Sequence, residues 1–104
     1  MAPNHRACTT LRLFGAEAGG SKALVAGVSH FLPGGGAGPD STPFEKVYIV
    51  LEGEMTVIIG GKETTLKAMD SCTIAPNEVR EIINRSNEMC RMLVVVPYPP
   101  GHKA

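Results

Sequence analysis

The chain has 104 residues, with 10 Lys+Arg against 10 Asp+Glu, 43% hydrophobic residues, 12 Gly, 8 Pro and no Trp. A chain near this length buries roughly 60–65% of the surface its unfolded state exposes, enough for one compact domain spanning 1–104 but not for two lobes closing on a cofactor. Zero formal net charge removes the electrostatic reason to expect a nucleic acid or an anionic membrane as partner.

No run of 18 apolar residues occurs, and the first ten residues, MAPNHRACTT, are too polar for a secretory core. A cytoplasmic location is the expectation. Cys8, Cys72 and Cys90 are odd in number and widely spaced, which fits neither a disulfide framework nor a tetrahedral zinc site; they read as reduced core thiols.

No helical period persists, whereas short apolar or alternating runs recur between Gly, Pro and Asn. That pattern predicts about eight short antiparallel strands, at 8–14, 23–32, 46–51, 54–59, 62–67, 71–75, 79–85 and 89–97. Gly60-Gly61 joins two of them as a tight hairpin, because both central positions of such a turn favour positive φ. Many short strands must hide their sheet edges, and closing into a barrel or jelly roll does so. The segment 33–43, PGGGAGPDSTP, reads as a loop at the barrel mouth, where ligands enter. Residues 1–7 and the Pro-rich stretch 97–104 read as irregular tails.

The segments EKVYIVLEGEMTV and DSCTIAPNEVREIIN, in this order, resemble the two motifs of small single-domain cupins. The first motif runs G, five residues, H-x-H, three or four residues, E, six residues, G; the second runs G, five residues, P-x-G, two residues, H, three residues, N. Gly53, Asp70, Pro76 and Asn84 stand at or near the matching places. The resemblance implies a cupin-type jelly-roll β-barrel with a pocket, core motifs over about 32–96, and a homodimer to which the apolar run 10–14 contributes. It also locates the family's metal ligands. Counting back from Gly53, the Glu falls on Lys46, with Glu45 one residue away, and the His-x-His pair falls near Asp40 and Thr42. Counting forward from Pro76, the last His falls on Glu81. No imidazole stands at any of these positions, and a lysine adds positive charge beside any cation, so no transition metal or other cofactor is expected.

Strand alternation nominates further pocket residues. His30 shares a face with Val28 and Leu24, and Glu81 with Val79 and Ile83. Ionisable groups on apolar faces shift their pKa or pair, so His30 and Glu81 form a candidate acid/base pair that needs no metal. The alternatives are a core-edge histidine bonded to backbone and a Glu81 salt bridge to Lys46 or Arg80. Tyr48, on a face with Lys46 and Val50, offers either a pocket hydroxyl or sheet packing. Glu45 replaces the motif carboxylate if a bulge shifts the register by one residue. Met55, Met69, Met89 and Met92 read as core filling, and His5 and His102, near the termini, as uninvolved in catalysis.

Three functions follow. One is a metal-independent isomerase, cyclase or lyase using His30 and Glu81, with Asp40, Thr42, Glu45, Lys46 and Tyr48 around a small-molecule substrate. Another is a non-catalytic sensor or carrier of a small molecule. The third is a metal-dependent cupin dioxygenase or isomerase with unorthodox ligands drawn from His30, Asp40, Glu45 and Glu81. The lost imidazoles rank the first two above the third.

Overall fold

The computed structural model describes residues 5–14, 20 and 23–97. Eight strands follow one another: β1 His5–Phe14, β2 Leu24–Asp40, β3 Lys46–Glu52, β4 Glu54–Ile59, β5 Lys62–Lys67, β6 Ser71–Ile74, β7 Arg80–Ile83 and β8 Cys90–Pro97. They pair antiparallel in the order β5-β4-β7-β2-β8-β3-β6, with β1 added to β2, and curl into a nearly closed barrel.

Alternation decides which side chains enter the barrel. On β3, Lys46, Tyr48 and Val50 are buried while Val47 and Ile49 between them are half-buried. Phe31, Val50, Met55, Ile74 and Met92 form the closed centre of the core. Two of the four methionines read as core filling are there; Met89 is half-buried, and Met69 is 77% exposed with a φ of 72°. Cys8 and Cys90 are buried and Cys72 half-buried, all as free thiols.

The segment 33–43 is not the expected loop, because β2 continues through it to Asp40. Its glycines permit close strand approach rather than mark a turn. A Cβ on Gly36 would stand 2.1 Å from the Ile82 carbonyl oxygen, and one on Gly35 would stand 2.6 Å from that of Ala7. β1 and β7 therefore pack against β2 at a distance no side chain allows. Residues 5–7 likewise belong to β1, with His5 opposite Ala37 and Arg6 opposite Gly36. Most of the expected tails, 1–4 and 98–104 with His102, lies outside the described residues.

The two motif residues that end their segments are explained locally. Gly53 has a φ of +80°, and a Cβ there would lie 2.6 Å from the Met89 carbonyl oxygen. Asn84 is fully buried; its amide donates to the Phe31 and Glu88 carbonyls (3.1 and 2.7 Å), and its Oδ1 accepts from the Ser86 N–H and hydroxyl. Every polar atom of that side chain is used, so the end of β7 is fixed relative to β2. Gly60 and Gly61 both take positive φ in the β4–β5 hairpin, as the sequence predicts. Among the described residues no helix is long and apolar enough to cross a membrane.

Candidate functional site

The inward faces of β2, β3, β7 and β8 leave a cavity of about 230 Å³. One part of its wall is apolar, built from Phe31, Ile82, Met92, Val94 and Val96. The remainder carries His5, Thr42, Phe44, Lys46, Tyr48 and Arg80. Lys46 is only 8% exposed and Arg80 only 5%, so two cations stand inside the barrel. Arg80 Nε donates to the Tyr48 hydroxyl oxygen at 2.6 Å, while Arg80 Nη1, also buried, has no hydrogen-bond partner among the described residues.

Burial and the neighbouring Arg80 charge push the Lys46 ammonium below its ordinary pKa, and Asp40 only partly opposes them. Burial raises the Tyr48 phenol, with Arg80 pulling the other way. Tyr48 therefore stays protonated at neutral pH, accepting from Arg80 and keeping its own O–H free to donate.

The structure gathers Thr42, Lys46 and Tyr48 of the sequence candidates at this cavity. It does not bring His30 and Glu81 together. Each lies on the outward face of its strand: His30 Nε2 accepts from Arg91 Nε at 3.2 Å, and Glu81 Oε2 lies 3.9 Å from Arg6 Nη2. The Glu81 partner is thus Arg6, neither Lys46 nor Arg80. Glu45 is exposed, and no register slip turns it inward because Lys46 occupies the inward position. Asp40 is exposed and accepts from the Ser41 N–H at 2.8 Å, although its backbone pairs with that of Arg80. Sequence reasoning missed two polar lining residues, His5 and Arg80. A place near the terminus gives His5 no sequence signal, but β1 carries it to the cavity. Counting forward from Pro76 passes Arg80 by one residue, whereas counting back from Asn84 over the motif's three residues lands on it.

A larger groove of about 800 Å³ runs along Glu54, Lys67, Arg85 and Glu88. It is open to solvent, its charges are of both signs, and Arg85 is already held by Glu63, so the barrel cavity is the better site.

The cupin domain model Cupin_2 matches residues 27–96, from β2 to β8. The chain belongs to the cupin family. It is 42% identical over 104 residues to Beta-D-galactosidase Rv1717 of Mycobacterium tuberculosis, covering 100% of this chain and 90% of that protein. Among solved structures it is similar to the polyketide cyclase RemF from Streptomyces resistomycificus, with a TM-score of 0.84 and 23% identity over 97% of this chain and 72% of the other. A cupin sugar phosphate isomerase from Silicibacter pomeroyi gives a TM-score of 0.79 at 19% identity, over 90% of this cupin and 61% of that chain.

The metal that cupin motifs imply does not fit the residues present. With Arg80 as the inward residue of β7, the four ligand positions hold Asp40, Thr42, Lys46 and Arg80. Two buried cations repel a third, and neither ammonium nor guanidinium offers a lone pair. Among the described residues no three His, Cys, Asp or Glu side chains gather as a ligand set.

Proposed function

We propose that this cupin binds a small organic molecule in the barrel cavity and that any chemistry there is metal-independent proton transfer of the isomerase, cyclase or lyase kind. The observation that carries it is the burial of Lys46 and Arg80 in the cavity at positions where the motif would put metal ligands. Tyr48 supplies the proton-donating hydroxyl, and the two cations stabilise negative charge that develops on a carbonyl or phenol oxygen of the substrate. The apolar wall excludes water from the body of the molecule. A sensor or carrier uses the same cavity without turnover.

A second reading, hydrolysis of β-galactosides, is favoured by the 42% identity to the mycobacterial protein of that name. Glycoside hydrolysis ordinarily uses two carboxyl groups, and the described cavity residues include none; Asp40, beside Arg80 in the β2–β7 register, is the nearest candidate. A cytoplasmic location and a second copy of the chain belong to the proposal as well. Leu11 and Leu13, 62% and 49% exposed on β1, offer apolar surface for that second copy, and light scattering on the eluting protein checks it.

One assay separates the readings. Chelator-treated protein is offered a chromogenic β-galactoside and, separately, aromatic ketones and phenols monitored for binding and isomerisation. The metal-free cavity reading expects ligand binding that survives chelation and is lost when Met92→Trp fills the cavity. Galactoside turnover abolished by Asp40→Asn favours the second reading, and binding that requires added metal overturns both.

A further inference from the structure

We propose that the ligand enters as an anion whose acidic group, a carboxylate or a phosphate, seats between the Lys46 ammonium and the Arg80 guanidinium; this rests on reading the barrel cavity as the ligand site. Buried charges are ordinarily paired or coordinated. The ion pairs of the described residues are Arg6–Glu81, Arg85–Glu63 and Arg91–Glu52, and neither cavity cation takes part in one. A guanidinium presents its donors as a planar fork suited to carboxylate and phosphate oxygens. In Arg80 the Nε is committed to Tyr48, whereas the buried Nη1 is left over.

The backbone makes room for this arrangement. Gly38 has a φ of +91°, and a Cβ there would lie 2.7 Å from Arg80 Nη1. The acid whose charge reaches Lys46, Asp40, is exposed and already receives the Ser41 N–H. Among the described residues, no carboxylate lines the cavity to neutralise the two cations, and a ligand anion would.

Size limits the rest of the ligand. A cavity of about 150 Å³ takes a benzene ring, so about 230 Å³ admits one ring or a short branched chain beyond the acidic group. That body lies against Phe31, Met92 and Val94.

The test is calorimetric titration of the full chain with benzoate, phenyl phosphate and the neutral isostere benzamide, repeated on Lys46→Met and Arg80→Gln, with chemical-shift changes at Ile82 and Val94 locating the binding. Benzoate or phenyl phosphate should bind at least about tenfold more tightly than benzamide, and Lys46→Met should erase most of that preference. The tighter of the two anions tells carboxylate from phosphate. Equal binding of benzamide and both anions at the cavity overturns the anion inference and leaves the ligand-site reading standing, whereas no shift at Ile82 or Val94 with any probe overturns both. The comparison on unmodified protein stands even if a variant fails to fold.

Discussion

Two cavities of nearly equal size, about 230 and 210 Å³, interrupt the packing of this cupin, and they differ in what lines them. The first holds Lys46 and Arg80 against an apolar wall. The second lies between β5 and β6, the two ends of the main strand order, and is lined by Val57, Ile59, Leu66 and Cys72, with Lys62 and Thr64 at its exposed side. Volume alone does not distinguish a ligand site from a packing defect. Burying two like charges works against folding, and such a cost persists where function uses it; the β5–β6 cavity bears no comparable cost and is ascribed to imperfect closure of the sheet.

The comparison is sharpened by substitutions on each side. Leu66→Ala, at a residue 5% exposed, should destabilise the protein by about 3 kcal/mol in chemical denaturation while leaving ligand affinity unchanged; a loss of affinity would show that the two cavities are coupled. Alkaline pH tests the core next to the barrel interior. Burial, with a smaller contribution from Glu54, raises the Cys90 thiol from 9.0 to about 11. The unfolded chain then releases its proton first, so the stability associated with this thiol is complete below pH 9.0 and is lost as pH rises through about 11. The loss amounts to about 3 kcal/mol, and Cys90→Ala should flatten the decline. Lys46 acts in the opposite direction, since its folded pKa lies below 10.5 and stability rises with pH up to that value.

Smaller effects should follow at the charged cavity. Lys46→Met should weaken anion binding about tenfold, about 1.4 kcal/mol, while the melting temperature at neutral pH holds or rises, because a buried cation with no ion pair among the described residues is replaced by an apolar chain of similar length. A fall in melting temperature with unchanged binding would make Lys46 a structural residue. The smallest change is expected from Glu63→Gln, which breaks an exposed pair with Arg85 and should cost under about 0.5 kcal/mol with no effect on binding.

Much of the fold was legible because turn chemistry and alternation are local. The Gly60-Gly61 hairpin and the strands 54–59 and 62–67 match the structure residue for residue. The 33–43 segment was misread because a glycine run has two meanings, a turn or a close backbone approach, and only the partner strand decides between them: here it is β7, whose Ile82 carbonyl would strike any side chain on Gly36. The site was half legible. Lys46, Thr42 and Tyr48 follow from the spacing to Gly53 and from the pleat. Arg80 and Glu81 are neighbours that face opposite ways, so a one-residue ambiguity in the second motif exchanges an interior cation for a surface carboxylate. Only Asn84, locked by its own hydrogen bonds, fixes that register. His5 was not legible, since its approach depends on β1 pairing with the far end of β2.

The measurement that bears most directly on the central claim is a crystal structure with 4-bromobenzoate, located by the anomalous signal of bromine. The account predicts the carboxylate between Lys46 Nζ and the Arg80 guanidinium and the bromine against Met92 and Val94. Bromine in the cavity lined by Val57 and Leu66, or a carboxylate turned away from both cations, would contradict it.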